Sequence, residues 1–280
     1  MRIALIGYGA IGREVIGYLH PEIAAGTIEL AGIVVRHPER YASPPPAGFV
    51  SIDEAVRADL VLECAGVAAA RQHGPAVVAA GTALLITSIG VLADPVLERA
   101  LLGGPGEVVL TSGAIGGLDL VRAAAQAGGL DRATITTTKT AGSLVQAWMD
   151  DATAARVRNL TEPELLFDGT PAEAIEKFPA NVNVAIALGV AARGLGTIAD
   201  GLAKVRVRIV ADPRTETSTH VIEAAGSSGT YRFDISNHPS RANPRTSALT
   251  AQAVAADVRA RIGRPTGAAS GNAPPAAPAR

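Results

Sequence analysis

Cysteine, aromatic residues and net charge are all scarce in this sequence. The single cysteine among 280 residues, Cys64, excludes an internal disulfide and a zinc site built on several cysteines. The net charge of -1 gives no electrostatic reason to expect nucleic acid or an anionic membrane as a partner. Because only 3% of the residues are aromatic while 48% are hydrophobic, the core has to be built mainly from Ala, Val, Leu and Ile.

Long hydrophobic runs are absent as well. No stretch of about 20 apolar residues is free of Gly or charged residues, so no membrane span is predicted. The first residues, MRIALIGYG, enter a strand-like segment without a basic leader, which argues against a signal peptide. We therefore expect a cytoplasmic protein with neither a membrane nor nucleic acid as its partner.

Short apolar segments alternate with helical ones in the first part of the chain. This alternation predicts a parallel sheet that is covered by helices on both faces. The predicted strands cover 2–6, 28–35, 59–63, 83–87 and 108–111, and the predicted helices cover 13–19 and 69–80.

The pattern changes after about residue 130. A Thr-rich segment and three others alternate with period two, which indicates a mostly antiparallel sheet with one wet face. These segments are 133–140, 205–209, 219–225 and 231–235.

The predicted fold class is therefore α/β, with an N-terminal Rossmann-type parallel sheet and a second α+β domain on a mostly antiparallel sheet. We predict a dinucleotide-binding domain over 1–112 and a catalytic domain over 113–243. A helical segment, 244–262, is predicted to pack back on the first domain. Residues 263–280 are rich in Pro, Ala and Gly and are expected to be disordered.

A glycine motif of the form G-x-G-x-x-G follows the first strand and opens the first helix. Gly7 permits the tight turn, Gly9 lets the backbone approach a pyrophosphate, and Gly12 lets the helix lie close to the strand. Ala10 and Ile11 complete the loop at the helix N-terminus, where free N–H groups and the positive dipole end favour phosphate. The sequence therefore predicts a nicotinamide dinucleotide, NAD(H) or NADP(H), as the cofactor.

The ends of the next strands carry the other predicted cofactor contacts. Where NAD enzymes have an acidic residue for the ribose hydroxyls, this chain has Arg36, which suits the additional phosphate of NADP. Cys64 and Ala65 end the third strand, at the carboxyl edge where such sheets bind ligands. Ser88 follows the fourth strand and is predicted to contact the nicotinamide ribose.

Three further stretches are more specific than the glycine motif. They are SGAIGGLD at 112–119, FPANVNVA at 178–185, and a third set comprising VADP at 210–213, HVIE at 220–223 and NPRTS at 243–247. With these stretches the chain resembles the L-aspartate dehydrogenases up to about residue 262.

The resemblance implies NAD(P)-dependent oxidative deamination of L-aspartate through iminosuccinate to oxaloacetate and ammonia, or the reverse reductive amination. It also implies a homodimer, a Rossmann domain and a second domain with a mixed sheet. By the same resemblance, His220 is the catalytic histidine, and Ala114 with Asn181 or Asn183 lies at the nicotinamide end of the cofactor. No metal is implied.

The residues themselves leave some of these roles open. Histidine titrates near neutral pH and suits proton transfer at an amine, although a lone histidine on a strand is more often structural. Asn181 and Asn183 would share a face of a strand but not of a helix. A contact with cofactor or substrate would satisfy the hydrogen bonds of one amide. Helix capping would account for the other amide.

Aspartate carries two carboxylates, so its pocket needs cationic or N–H donors. Lys139 is the first candidate because it ends the first strand of the second domain. Arg245, with Arg241, is a further cationic candidate, and Ser143 and Thr246 offer hydroxyl donors, although Thr246 or Ser247 could instead cap the last helix.

Two departures from the family pattern keep other functions open. Family members tend to have Lys-Pro-Pro where this chain has KTAGS at 139–143, and Asn where it has Ser218. One alternative is a dehydrogenase of the same architecture for another amino acid or oxo acid, of the homoserine or diaminopimelate type. A second is a non-catalytic protein that senses a dinucleotide.

Overall fold

The structure is a computed structural model that describes residues 1–179, 182–243 and 246–263. Within these ranges the chain forms two compact units, one of residues 1–113 with the segment that starts at Thr250, and one of Ala114–Leu249. None of the described helices is long and apolar enough to cross a membrane. Two predicted site residues, Asn181 and Arg245, lie outside the described residues, as does nearly all of the predicted disordered tail.

The first unit is built on a parallel sheet of five strands in the order β2-β1-β3-β4-β5. Its strands are short and almost wholly apolar because both faces of the sheet are covered. The strands are β1 (Arg2–Ile6), β2 (Glu29–Val34), β3 (Leu60–Glu63), β4 (Ala83–Ile86) and β5 (Val108–Leu110). The helices are α1 (Ala10–Tyr18), α2 (His20–Ala24), α3 (Ile52–Ala55), α4 (Val67–Ala79) and α5 (Pro95–Leu102), with 3₁₀ turns over Pro38–Arg40 and Ile89–Ala93.

A hydrophobic core contains side chains from all five strands of this sheet. It includes Ile3 and Leu5 of β1 and Leu62 of β3, all fully buried. The C-terminal helix of the described chain, Ala248–Arg259, adds to the same core with side chains spaced three or four residues apart. These side chains are Ala251, Val254, Ala255 and Val258.

The second unit is built on a mixed sheet of five strands in the order β10-β9-β6-β8-β7. Its strands are β6 (Arg132–Lys139), β7 (Glu164–Gly169), β8 (Val205–Ala211), β9 (Ser218–Gly226) and β10 (Gly229–Asn237). Its helices are α6 (Leu118–Gln126), α7 (Asp151–Arg158), α8 (Pro171–Lys177), α9 (Val182–Ala192) and α10 (Ile198–Ala203), with a 3₁₀ turn over Ala141–Leu144, and α11 (Ala248–Arg259) begins at its end. Only β6 and β8 are parallel, and the other three pairings are antiparallel.

The predicted fold class is confirmed, with differences in detail. The edge strand β7 was not among the predicted strands. The last helix begins at Ala248 rather than near 244, because the Ser247 hydroxyl accepts a hydrogen bond from the Leu249 backbone N–H and so caps the helix.

Candidate active site

The glycine loop between β1 and α1 has the geometry of a phosphate cradle. Gly7 has φ +100°, a conformation that favours glycine, and a Cβ there would lie 2.7 Å from the Cβ of Ala65. A Cβ on Gly12 would collide with the carbonyl oxygen of Gly7. A Cβ on Gly9 would meet nothing within 4 Å, so the space above this residue is open. Two glycines therefore allow the turn, and the third leaves room for a ligand.

The start of α1 completes this cradle. Gly9 is the N-cap residue and offers no side chain to the first turn, which begins with Ala10 and Ile11. The free N–H groups and the positive end of the helix dipole at such a start bind phosphate oxygens. The open space and the donors fit the pyrophosphate of a dinucleotide, which the loop from Gly7 to Gly12 would hold.

A fully buried acid, Glu63, lies at the end of β3 and was not among the predicted site residues. One carboxylate oxygen accepts the backbone N–H groups of Ala65 and Gly66 at 2.8 Å each and the hydroxyl of Ser88 at 3.1 Å. The other accepts the Ser88 N–H at 3.0 Å. Burial raises the pKa of Glu63, while these hydrogen bonds oppose the rise. The carboxylate thus ties together the loops that follow β3 and β4.

Three predicted cofactor residues lie in these two loops. Cys64 is buried, its backbone N–H donates to Ile6 at 2.8 Å, and burial raises the pKa of its thiol. Ala65 lies against the glycine loop. The Ser88 hydroxyl donates to Glu63, so a contact with a ribose would have to use its oxygen as acceptor. The signal that could have revealed Glu63 is an acid that ends an apolar strand, DLVLE.

Arg36 lies exposed just beyond the end of β2. Burial lowers the pKa of His73 in α4, and the positive charge of Arg36 lowers it further. A second cation of this unit, Arg13, lies over the ring of Tyr8 at 5.0 Å and that of Tyr41 at 5.9 Å from the ring centroids. The first unit therefore places two cations near its glycine loop and the end of β2.

In the second unit, strand register brings His220 close to Lys139. Thr137 of β6 is the register partner of His220 in the antiparallel pair β6–β9. Because side chains alternate along a strand, Lys139 shares the face of Thr137, which also carries buried Ala133 and Ile135. The Thr137 hydroxyl lies 3.0 Å from Nδ1 of His220, and the two residues are 1% and 5% exposed.

Burial shifts the pKa values of both His220 and Lys139, and charge shifts that of His220 as well. Burial, and then the positive charge of Lys139, lower the pKa of His220 to about 4. Burial also lowers the pKa of Lys139. Burial is the only cause of the lowered pKa of Lys139 and no described carboxylate contributes to it, so an incoming anion would find both a cation and a neutral imidazole.

The other predicted residues are placed as follows. Ser143 lies in the turn after β6, where its hydroxyl donates to the carbonyl of Thr140 at 2.7 Å. The Thr246 hydroxyl accepts a hydrogen bond from the side-chain amide of Asn243 at 3.2 Å. Asn183 lies in the first turn of α9 and is exposed, so this segment is helical and not a strand.

Ala114 is held by a residue that the sequence did not single out. The side-chain amide of Asn237 donates to the carbonyl oxygen of Ala114 at 2.7 Å. Asn237 is also the register partner of Ser218, which stands where the family usually has Asn. An amide is therefore present beside this position, supplied by β10 instead of β9.

A parallel sheet with an open glycine loop is typical of domains that bind a nicotinamide dinucleotide, and a buried histidine beside Lys139 can exchange a proton with a bound anion. These features are those of a nicotinamide-dependent oxidoreductase. Two family models match this chain, "Homoserine dehydrogenase, NAD binding domain" over residues 7–104 and "Aspartate dehydrogenase, C-terminal" over residues 119–261. The chain belongs to the L-aspartate dehydrogenase family.

Relatives of known name agree with these matches. An L-aspartate dehydrogenase of Ruegeria pomeroyi is 36% identical over 272 residues, covering 93% of this chain and 92% of its own. That of Pseudomonas aeruginosa is 33% identical over 265 residues, covering 91% and 95%. The crystal structure of aspartate dehydrogenase from Thermotoga maritima superposes with a TM-score of 0.69 at 26% identity, covering 95% of this chain and 98% of that one.

Proposed function

We propose that this chain is an NAD(P)-dependent L-aspartate dehydrogenase, which converts L-aspartate to iminosuccinate, and then oxaloacetate and ammonia, or catalyses the reverse reductive amination. The observation that carries the proposal is the pair of His220 and Lys139, a buried neutral base beside a cation without a carboxylate partner in the described part of the chain. Such a pair suits a substrate with an ionised carboxylate and an amine that must exchange a proton.

Each residue of this pair has a separate task. The Lys139 ammonium binds one substrate carboxylate. His220 takes a proton from the substrate ammonium in oxidation and returns it in amination. Because the bound carboxylate offsets the charge of Lys139, the pKa of His220 rises from its low value when the substrate binds.

The cofactor is proposed to bind through the first unit. Gly7, Gly9, Ala10, Ile11 and Gly12 hold the pyrophosphate, and Arg36 binds the additional phosphate of NADP, so that NADP(H) is accepted. Cys64, Ala65 and Ser88 line the nicotinamide half, with Ala114 and Asn181 or Asn183 at its end. When bound, the nicotinamide ring supplies the acceptor or donor of the hydride.

The remaining substrate contacts and the assembly are part of the proposal. Ser143, Arg245 and Thr246 are further candidates for the second carboxylate. A homodimer is proposed from the family resemblance, and a cytoplasmic location from the sequence, in which no membrane span is predicted. Sedimentation of the purified protein tests the dimer.

Consumption of NADPH with oxaloacetate, measured with and without ammonia, tests the reaction. Oxidation that requires ammonia, with L-aspartate as product, supports the proposal, whereas equal oxidation without ammonia shows a ketone reductase. Ser218 and residues 139–143 favour a second candidate, a dehydrogenase for another amino acid or oxo acid, so the same assay is run with several oxo acids. Tight dinucleotide binding without turnover on any of them would show a sensor.

A further inference from the structure

Thr137 is the one residue whose side chain hydrogen-bonds the His220 ring within the described part of the chain. The two residues face each other in the register of β6 and β9, with Thr137 Oγ1 3.0 Å from His220 Nδ1. Their sequence separation is 83 residues, so the pairing is a product of the fold. Both side chains are at least nine-tenths buried.

The surroundings of Thr137 make this hydrogen bond persistent. Ile135 precedes Thr137 on the same face of β6, and the register partner of Thr137 on β8 is Ile209. Ile222 lies two residues after His220 on β9, and all three isoleucines are fully buried. A hydroxyl among such neighbours has no water to bond and loses free energy if its hydrogen bond breaks. The branched side chain of threonine is also stiff about χ1, so the hydroxyl has a fixed direction.

We infer that Thr137 is a positioning residue that holds the imidazole of His220 through Nδ1, so that Nε2 is the nitrogen that exchanges protons with the substrate amine. This rests on the proposed function, in which His220 is the proton-transfer group. A neutral imidazole carries its proton on one nitrogen only, so Nε2 can accept a proton only when Nδ1 carries the ring proton and donates it to Thr137 Oγ1. A hydroxyl can also donate, so the contact itself fixes the ring orientation, and we assign the direction from Nδ1–H to Oγ1. The hydroxyl does not touch the substrate and acts through the ring.

Three variants separate this role from a general effect on the strand. Thr137→Val keeps the shape and removes the hydroxyl, and Thr137→Ser keeps the hydroxyl. Thr136→Val makes the same change one residue earlier, on the opposite and half-exposed face of β6. We expect Thr137→Val to lower kcat about tenfold, the loss of one hydrogen bond in the transition state, with KM for aspartate nearly unchanged. Thr137→Ser and Thr136→Val keep kcat within about twofold.

A second readout does not depend on turnover. In protein labelled with ¹⁵N at histidine, the ring nitrogens of His220, assigned by their loss in His220→Gln, show the shifts of the tautomer protonated at Nδ1 at neutral pH, and the shifts of the tautomer protonated at Nε2 would overturn the inference. In Thr137→Val the His220 ring shifts move toward the average of the two tautomers, and in Thr137→Ser they do not.

The outcomes are distinct. Unchanged kcat and unchanged ring shifts in Thr137→Val overturn the inference, as does an equal loss in Thr136→Val, a loss confined to KM, or a loss that Thr137→Ser does not restore. If the wild-type protein does not turn over aspartate, the proposed function fails. The ring shifts alone then decide whether Thr137 fixes the tautomer.

Discussion

Glu63 and Ser88 meet across the ends of two neighbouring parallel strands, and Ser88 gives the buried carboxylate both its backbone N–H, at 3.0 Å, and its hydroxyl, at 3.1 Å. The same carboxylate accepts the N–H groups of Ala65 and Gly66, the last two residues of the loop before α4. A buried charge with this many donors is stable only while the donors stay in place, so it fixes the shape of both loops.

Replacing Glu63 with Gln tests whether this carboxylate shapes the cofactor site. The amide nitrogen of Gln cannot accept a hydrogen bond from an N–H group, so at least one loop donor loses its partner. We expect dinucleotide affinity to fall about tenfold, the value of a lost hydrogen bond to a charged group, measured by titration with NADPH fluorescence. Glu29→Gln, on an exposed residue of the same sheet, is the control. Equal affinity in both variants would show that Glu63 serves the fold alone.

Gly9→Ala tests the phosphate cradle directly. Gly9 has φ -83°, which alanine adopts without strain, and the new methyl group would enter open space. The thermal midpoint should therefore stay unchanged, while dinucleotide affinity falls about 10- to 100-fold because the methyl group occupies the place of the phosphate. Gly17→Ala in the same helix also meets open space, and it should leave affinity unaltered. Normal binding by Gly9→Ala would mean that the pyrophosphate does not lie over this loop.

Arg36→Ala tests the choice between the two cofactors. Loss of the guanidinium should raise KM for NADP(H) about tenfold or more and change KM for NAD(H) little, since a phosphate pairs with arginine through charge-assisted hydrogen bonds. Arg99→Ala removes an exposed arginine of α5 and serves as the matched control. A strong preference for NAD that survives Arg36→Ala would contradict the assignment.

The pH dependence of the reaction tests the electrostatic coupling between Lys139 and His220. In the free protein His220 stays neutral down to about pH 4. The value of kcat/KM should therefore fall on the acid side only near that pH. The substrate carboxylate offsets the charge of Lys139, so the acid limb of kcat should lie at higher pH. Lys139→Met removes the smaller of the two causes of the low pKa of His220, so the limb of kcat/KM should move upward by only part of the shift, since burial remains. The same change should raise KM for aspartate.

Lys204→Met provides the comparison for that experiment. It removes a positive charge that is no cause of the His220 shift, and its pH profile should match the wild type. If the acid limbs of the kcat and kcat/KM profiles coincide and do not move in Lys139→Met, the ionisation of His220 does not control the rate.

Local spacing made the geometry of the glycine loop predictable. Gly7, Gly9 and Gly12 form the predicted turn between β1 and α1 because a tight βα turn needs glycine at fixed positions within one short segment. The apolar run that contains Asn183 could not be assigned in the same way, because a short buried segment has no periodicity that separates helix from strand.

The remaining parts depend on contacts between distant segments. The pairing of Thr137 with His220 requires the register of two strands 83 residues apart, and no local pattern encodes that register. Glu63 ends an apolar strand and could have been noticed, but its role needs Ser88, which comes 25 residues later. Asn237 reaches Ala114 over 123 residues in the same way.

The rate at which L-aspartate reduces the oxidised cofactor, compared between the wild type and His220→Ala, tests the central claim most directly. We predict measurable turnover by the wild type and a kcat about 10²- to 10⁴-fold lower in the variant, with cofactor affinity retained. A variant that oxidises aspartate as fast as the wild type would contradict the assignment of the buried histidine as the proton-transfer group.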